Sequence, residues 1–412
     1  MKLFAKNFGC KTNFSDLASI VGKISTSTKE KVEITNIESE ADLAIINSCA
    51  VTLDAEREVI KSIRKIRKNK PDIKVLVSGC MTRVSSHKIL KEGAEIMPES
   101  QNIDAPEFFV QGLPFFSKRR AYLKIQEGCS RFCSFCIIPY TRGNPVSLEL
   151  NKIIETAKSI GEKGYEEIVL VGTHLSLWGQ NDNGNGNSNS KGKSLSRIVE
   201  RFSEEKPIKR LRFSSLSPGE IDDDFIRALK DAKDIICPHF HISVQSGDNN
   251  ILRAMRRWHT FEDFLRDCDR LLSEFEDACI GTDIIVGFPL EDDRSFETTV
   301  KKIEASPLGH IHVFPYSDRL TPSSFIKKRY NPKVLDDRIK VMLSIAKEKR
   351  YKFAKRFINR KLDVIFEEEL NDFVEGLSRN YVKIITDKKL NSETKIEIKE
   401  ITEYKNDIFG VA

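Results

Sequence analysis

The stretch Gln126-Glu127-Gly128-Cys129-Ser130-Arg131-Phe132-Cys133-Ser134-Phe135-Cys136-Ile137-Ile138-Pro139 carries the most information in this chain of 412 residues. Its cysteines have the spacing Cys-x3-Cys-x2-Cys, and an aromatic residue stands directly before the last one. Three thiolates can hold three irons of a cubane iron-sulfur cluster, and no fourth cysteine follows nearby. The spacing therefore predicts a cluster with one open iron, where an outside ligand can bind.

Zinc binding, a disulfide and chance are the alternatives for this triplet. Structural zinc normally takes four ligands, and no histidine or cysteine stands close after Cys136 to complete the set. A disulfide would leave one of the three cysteines unpaired, and the sequence gives no sign of secretion. We therefore interpret the triplet as a cluster site.

At these residues the chain resembles the radical S-adenosylmethionine superfamily, whose signature is this triplet with an aromatic residue at the position of Phe135. The resemblance implies that S-adenosylmethionine chelates the open iron and that the segment from Phe135 to Ile138, with Phe135 and Ile137 as the named residues, contacts its adenine. It further implies that the cluster at Cys129, Cys133 and Cys136 cleaves the cofactor to a 5'-deoxyadenosyl radical. The cofactor would supply the difficult chemistry, and the protein would position it and exclude water.

Length and composition predict a globular protein of several domains. The chain of 47.0 kDa is 40% hydrophobic and 31% charged, and it is too long for one ordinary core. The segment Met1–Cys10 lacks the apolar core of a signal peptide, and no run approaches a membrane span. We expect a cytoplasmic protein.

The formal net charge is +6, and the excess is concentrated in two stretches. The first would give one helix a basic face, and the second precedes the last domain. Either stretch alone has an ordinary solvated helix face as its simple explanation, but together they favour a polyanionic partner such as RNA. The residues are Lys61, Arg64, Lys65 and Lys68 in the first, and Lys347, Lys349, Arg350, Lys352, Lys355, Arg356, Arg360 and Lys361 in the second.

Residues 1–112 alternate strand-like runs with helical patterns, which predicts an α/β domain. The runs Leu3 to Phe8, Leu43 to Ile46 and Ile73 to Val77 are each followed by a cysteine, namely Cys10, Cys49 and Cys80. Residues just past parallel strands converge on one crevice, so the three thiols are expected to meet. A lone cysteine is more often a small buried apolar residue, which is the alternative for each.

The sequences around these cysteines resemble the amino-terminal domain of the methylthiotransferases. They are Gly9-Cys10-Lys11-Thr12-Asn13, Asn47-Ser48-Cys49-Ala50-Val51-Thr52 and Ser78-Gly79-Cys80-Met81. The resemblance implies that Cys10, Cys49 and Cys80 bind an auxiliary cluster whose open iron carries sulfur.

Residues 113–350 are predicted to form a partial (β/α)6 barrel. Six candidate strands alternate mostly with stretches of helical pattern, and barrel chemistry lies at the carboxyl ends of strands. Polar segments occur at those ends, and from them we predict that Ser215, Gln245 and Asp283 contact S-adenosylmethionine. Asp283 could equally be a structural group. The strands are Ala121–Gln126, Glu167–Val171, Arg210–Phe213, His239–Val244, Ile280–Val286 and His310–Phe314.

A long helix at about Leu335–Ile358 should lead to residues 351–412, where short alternating runs predict antiparallel strands. The segment Gly376–Lys383 resembles the small OB-like, all-β TRAM barrel that closes many tRNA-modifying enzymes. Such barrels bind single-stranded or looped RNA. Between the second strand and the next helix, the polar run Gln180–Ser194 predicts a mobile loop.

The resemblance covers nearly the whole chain and implies a radical tRNA methylthiotransferase of the α/β class. The motifs at Cys10 and Cys49 are most similar to the branch that modifies N6-threonylcarbamoyladenosine at C2, beside the anticodon. Alternatives are the isopentenyladenosine branch, the branch that modifies a ribosomal-protein aspartate, and an iron-sulfur RNA-binding regulator without catalysis. Implied cofactors are two 4Fe-4S clusters and S-adenosylmethionine. Implied partners are the tRNA anticodon stem-loop, an electron donor such as flavodoxin or ferredoxin, and a sulfur source, with no membrane.

Overall fold

A computed structural model describes residues 1–28, 31–97, 119–179, 194–326, 330–370, 373–387, 394–404 and 407–411. The Cα packing divides the chain into two compact units. The amino-terminal unit comprises Met1–Leu195 and Ser317–Ser324, and the carboxyl-terminal unit comprises Ser196–Tyr316 and Phe325–Ala412. The predicted loop Gln180–Ser194 lies outside the described residues except for Ser194, and so does the predicted domain boundary at position 112.

The amino-terminal unit begins with a parallel sheet of order β2-β1-β3-β4-β5. Its apolar residues alternate, so that one face packs on α1 and the other on α2. The three predicted strands are confirmed as β1, β3 and β4, whereas the short edge strands β2 and β5 were not predicted. The strands are β1 (Lys2–Asn7), β2 (Glu33–Thr35), β3 (Leu43–Ser48), β4 (Lys74–Gly79) and β5 (Glu95–Ile96), and the helices are α1 (Lys11–Ser27), α2 (Leu53–Asn69), α3 (Met81–Val84) and α4 (Ser86–Lys91).

The same unit continues with the first two strand-helix repeats of the predicted barrel. Strands β6 and β8 pair in parallel, and the short β7 pairs antiparallel with β6. The segment that joins β6 to the first helix contains Cys129, Cys133 and Cys136. The elements are β6 (Arg120–Glu127), α5 (Ile138–Arg142), β7 (Val146–Ser147), α6 (Leu150–Glu162) and β8 (Glu167–Gly172).

The carboxyl-terminal unit carries a parallel sheet of order β10-β11-β12-β13. Each predicted strand lies within two residues of an observed one at both ends, and the predicted long helix is α12. The elements are α7 (Leu195–Glu205), β9 (Arg210–Phe213), β10 (Ser215–Leu216), α8 (Asp223–Asp231), β11 (His239–Ile242), α9 (Asn249–Ala254), α10 (Phe261–Glu274), β12 (Cys279–Val286), α11 (Asp293–Ala305), β13 (Leu308–Pro315) and α12 (Pro332–Lys355).

The predicted small all-β region is confirmed as a sheet of order β17-β14-β15-β16-β19-β18. Its pairs are antiparallel except β16 with β19. Its core packs against Phe353 and Phe357 at the end of α12. The strands are β14 (Lys361–Leu370), β15 (Phe373–Ser378), β16 (Lys383–Thr386), β17 (Thr394–Glu397), β18 (Glu400–Tyr404) and β19 (Asp407–Val411).

The turn of the TRAM-like motif is used for packing inside the carboxyl-terminal unit. The ring of Tyr381 stacks on His239 of β11, with centroids 3.8 Å apart. Arg212 of β9 donates to the carbonyl oxygen of Arg379 (3.1 Å), and Arg379 donates to that of Ile236 (2.8 Å). This turn therefore anchors the small sheet to the strands of the barrel.

Candidate active site

Cys10, Cys49 and Cys80 follow three strands that are neighbours in one sheet, β1, β3 and β4. Gly9 has a φ of +110°, and a Cβ atom there would lie 2.9 Å from Cβ and 3.1 Å from Sγ of Cys49. The amide of Cys80 donates to the carbonyl of Ser48 (3.0 Å), the residue before Cys49. The structure therefore brings the first predicted trio together, and Gly9 provides the room for it.

Burial and neighbouring thiols shape the electrostatics of this trio. Burial, together with the charges of Cys80 and Cys10, raises the pKa of Cys49 to about 11. Burial also raises the pKa of Cys80. All nine cysteines are free thiols, so none is committed to a disulfide. A donor set of three free cysteine side chains fits an iron-sulfur cluster, to which cysteines bind as thiolates.

Cys129, Cys133 and Cys136 lie on one loop between β6 and α5. The amide of Cys129 donates to the carbonyl of Gly143 (3.0 Å), which ties the start of the loop to the end of α5, and the amide of Cys136 donates to that of Cys133 (3.0 Å). Gly128 has a φ of +80°, and a Cβ atom there would lie 2.0 Å from the carbonyl oxygen of Asn144. The loop is therefore compact, and it fits a cluster bound by its three thiols.

Gln126 of β6 and the two residues that follow β8, Thr173 and His174, hold this loop from the other side. Gln126 donates to the carbonyl of Gly128 (2.7 Å) and accepts the amide of His174 (2.8 Å), while Thr173 also donates to Gly128 (2.6 Å). The Nδ1 atom of His174 lies 3.6 Å from the Sγ atom of Cys129. Of the two predicted adenine contacts, Phe135 is half-buried and Ile137 is buried.

In the carboxyl-terminal unit, Asp283 is the centre of a hydrogen-bonded cluster. Its carboxylate accepts from Nε2 of His241 (2.9 Å), Nδ1 of His312 (3.1 Å) and Oγ of Ser243 (2.8 Å). Burial alone would raise the pKa of Asp283, but His241 and His312 hold it well below the usual range. The two histidines therefore favour the ionised form of this carboxylate.

The other two predicted cofactor contacts lie beside this cluster. The amide of Gln245 donates to the carbonyl of Asp283 (2.9 Å), and its φ of +80° is rare for a residue with a side chain. Ser215 is exposed and pairs with His241 in the sheet register. The structure therefore brings Ser215, Gln245 and Asp283 together on neighbouring strands.

Sequence reasoning did not single out the histidines of this cluster. His239 and His241 are two apart on β11, and His310 and His312 are two apart on β13. Residues two apart on a strand share a face, so two His-x-His pairs on nearby strands were a detectable signal. Arg142, which reaches the first cysteine trio, was also missed, because no spacing rule connects it to Cys10 or Cys80.

Most of the predicted basic stretches are occupied by ion pairs. On α2, Lys61, Arg64 and Lys65 pair with Glu58, Glu92 and Glu38. Near the end of α12, Lys347 pairs with Glu403 and Arg350 with Asp407. Each of these five cations therefore has an acidic partner within its own unit.

Two protein families match this chain. The radical SAM superfamily matches residues 123–303, and the uncharacterized protein family UPF0004 matches residues 2–97. The threonylcarbamoyladenosine tRNA methylthiotransferase MtaB of Rickettsia prowazekii (strain Madrid E) is 30% identical over 404 residues, covering 93% of this chain and 91% of that protein. The chain belongs to the radical S-adenosylmethionine methylthiotransferase family.

A second relative agrees with this assignment, and a solved structure shares the fold. MtaB of Aquifex aeolicus (strain VF5) is 29% identical over 411 residues, covering 93% of this methylthiotransferase and 96% of that protein. The radical S-adenosylmethionine methyltransferase TsrM from Kitasatospora setae, solved with cobalamin and a 4Fe-4S cluster, has a TM-score of 0.56 at 13% identity, covering 78% of this chain and 77% of that chain. The predicted fold class is confirmed.

The family also fixes the cofactors of this methylthiotransferase, which are S-adenosylmethionine and two 4Fe-4S clusters. The cysteine-only donor sets of its two trios fit these clusters. Among the described residues, no helix is both long enough and apolar enough to cross a membrane.

Proposed function

We propose that this enzyme adds a methylthio group to C2 of N6-threonylcarbamoyladenosine beside the anticodon of tRNA. The observation that carries the proposal is the presence of two separate cysteine trios within one compact unit. One trio suffices to bind and cleave S-adenosylmethionine, and the second trio provides a further cluster with an open iron at which sulfur can be held. The full-length likeness to MtaB proteins supports this tRNA branch.

In this proposal Cys129, Cys133 and Cys136 hold the cluster that binds S-adenosylmethionine, and Cys10, Cys49 and Cys80 hold the auxiliary cluster. When bound, these groups supply the one-electron cleavage that activates the unreactive C2–H bond of adenine, and the sulfur that replaces its hydrogen. Burial of Cys49, Cys80 and Cys133 excludes water from the thiolates.

The remaining site residues orient the cofactor. Phe135 and Ile137 provide an apolar wall for its adenine. Asp283 would accept hydrogen bonds from the cofactor, because its carboxylate is held in position by His241 and His312. Ser215 and Gln245 complete the polar contacts.

The partners follow from the reaction. The enzyme binds the anticodon stem-loop, receives electrons one at a time from a donor such as flavodoxin or ferredoxin, and requires a sulfur source for each turnover. Since tRNA is its substrate, we place it in the cytoplasm.

Two cysteine variants test the division of labour. Cys129→Ala should abolish 5'-deoxyadenosine formation with dithionite and S-adenosylmethionine. Cys49→Ala should keep much of that cleavage but fail to insert sulfur. Normal sulfur insertion by both variants would contradict the assignment, and no cleavage by the wild-type enzyme would favour an RNA-binding redox regulator.

Nucleoside mass spectrometry of tRNA from a strain without the gene tests the substrate. The expected result is loss of the methylthiolated threonylcarbamoyladenosine alone. Loss of the isopentenyladenosine product would identify the other tRNA branch, and an unchanged tRNA profile would shift attention to ribosomal-protein aspartate.

A further inference from the structure

Arg142 lies where the loop of the second trio meets the first trio. It is the last residue of α5, six positions after Cys136, and its side chain is only 5% exposed. Helix α5 packs against α3, the helix that begins directly after Cys80. A single side chain is thus placed between the two cysteine groups.

Three side chains accept hydrogen bonds from the guanidinium. Its Nη1 atom donates to Glu127 (2.6 Å), which ends β6 just before the cysteine loop. Its Nη2 atom donates to Asp16 (2.9 Å) and Asn13 (3.1 Å) on α1, the helix that follows Cys10. Lys124 donates to Asp16 (2.5 Å) and Glu127 (2.6 Å), so two cations face two carboxylates.

This arrangement needs an arginine. The planar fork bonds Glu127 on one side and α1 on the other, which a single ammonium group cannot reproduce. Because the charges are buried and balanced, removing one of them leaves an uncompensated charge. The network therefore fixes the cysteine loop to the helix of Cys10.

Arg142 also acts directly on the first trio. The Oδ1 atom of Asn13 that accepts from Arg142 also accepts the thiol of Cys10 (3.3 Å). The side chain of Arg142 also hydrogen-bonds to the thiol of Cys80, and the two residues line the same cavity. Among the described residues the buried Nε atom of Arg142 has no hydrogen-bond partner, and such a donor is costly unless a ligand accepts from it.

We propose that Arg142 is a positioning residue that holds the loop of Cys129, Cys133 and Cys136 against the auxiliary trio and gives the auxiliary cluster a positive charge and a hydrogen-bond donor. The proposal deepens the proposed function, since it assigns the contact between the two centres. It makes two separable claims, one about charge at the auxiliary cluster and one about the position of the loop.

The charge claim is tested on protein with Cys129→Ala, Cys133→Ala and Cys136→Ala, so that the auxiliary cluster is measured alone. Arg142→Gln should shift its midpoint potential to lower values and weaken iron retention against a chelator about tenfold, as loss of an outer partner does. Arg142→Lys should restore most of the potential. Arg64→Gln is the matched control, because Arg64 is an exposed arginine that pairs with Glu92. This variant should change neither the midpoint potential nor the iron retention.

The position claim is tested without clusters by amide hydrogen exchange over residues 136–143. Arg142→Gln and Arg142→Lys should both speed exchange there, since neither forms the fork. In the loaded enzyme, both should form about tenfold less methylthiolated product per 5'-deoxyadenosine, because the two centres are no longer aligned.

Unchanged potential, iron retention and loop exchange in Arg142→Gln would overturn the proposal. If that variant does not fold, Glu127→Gln keeps the guanidinium and breaks the fork, so exchange should rise without a fall in potential. If the potential of Glu127→Gln instead fell as far as is expected for Arg142→Gln, the proposal would also be overturned. If the Arg142 variants showed these effects but the wild-type enzyme did not modify tRNA, only the proposed function would be contradicted.

Discussion

Gly9 is the residue on which the geometry of the first trio depends most directly. Its φ of +110° disfavours any side chain, and its missing Cβ leaves room for Cys49. Gly164 has a similar φ of +85° but nothing within 4 Å of its would-be Cβ. The two glycines therefore separate backbone strain from steric contact with a thiol.

Gly9→Ala should destabilise the protein by about 1 kcal/mol through backbone strain and, in addition, lower the iron bound at the auxiliary trio. Gly164→Ala should show the strain alone. Thermal unfolding and iron per chain after reconstitution measure the two effects. Equal iron in both variants would mean that Cys49 moves aside without loss of the site.

Asp267 gives the fold a pH dependence that is separate from both cysteine trios. Burial raises the pKa of this carboxyl to about 6, although it accepts the amide of Gly219 (2.6 Å). The folded state thus holds a proton more tightly than the unfolded chain, whose pKa is about 3.9. Stability contributed by the protonated carboxyl is complete below pH 4 and is lost as the pH rises through 6.

Asp267→Asn should therefore stabilise the protein above pH 6 by about 2 kcal/mol, with no difference below pH 4. Urea unfolding at several pH values measures this. Asn retains an oxygen for the amide of Gly219, so a pH-independent loss of stability would contradict the expectation.

At the scale of elements, residues 317–324 return from the end of β13 to the amino-terminal unit. The amide of Leu53, at the start of α2, donates to Oγ of Ser317 (3.0 Å). Arg319 forms a buried ion pair with Glu56. The amide of Ser323 donates to the carbonyl of Ser134 (2.9 Å) inside the cysteine loop. This segment thus links α2 to the loop of the second trio.

Arg319→Met should cost about 3 kcal/mol, because it leaves the carboxylate of Glu56 buried with one charged partner fewer. Arg57→Met is the control, since the Arg57 to Asp54 pair is exposed and should contribute less than about 1 kcal/mol. Chemical denaturation measures both. A similarly small loss of unfolding free energy in the two variants would show that Lys88 and Ser85 are sufficient partners for the buried carboxylate of Glu56.

At the scale of the whole molecule, the carboxyl-terminal unit joins four of the six predicted barrel strands to the small sheet. The contact is made by the turn at Ser378–Tyr381, by the end of α12 and by Arg360, which pairs with Asp277. Any RNA contact by the small sheet must therefore use other surfaces than this turn.

Tyr381→Ala should destabilise the unit by about 3 kcal/mol, since it removes a ring stacked on His239 and close to His310. Tyr351→Ala, an exposed residue on α12, is the control and should have little effect. Calorimetry should still show the small sheet and the barrel strands unfolding together. A separate early transition in the wild type would mean that the two parts are independent.

The sequence alone determined both cysteine trios, the strands that precede them and the family. Cluster ligands must be particular residue types at particular positions next to strand ends and turns, and such local patterns can be recognised in the sequence. Only the tertiary structure decided that Arg142 reaches the first trio, that Asp283 is held by two histidines, and that most cations of the basic stretches form ion pairs. Each of these depends on charges distant in sequence meeting in a low-dielectric interior, where burial makes partners obligatory.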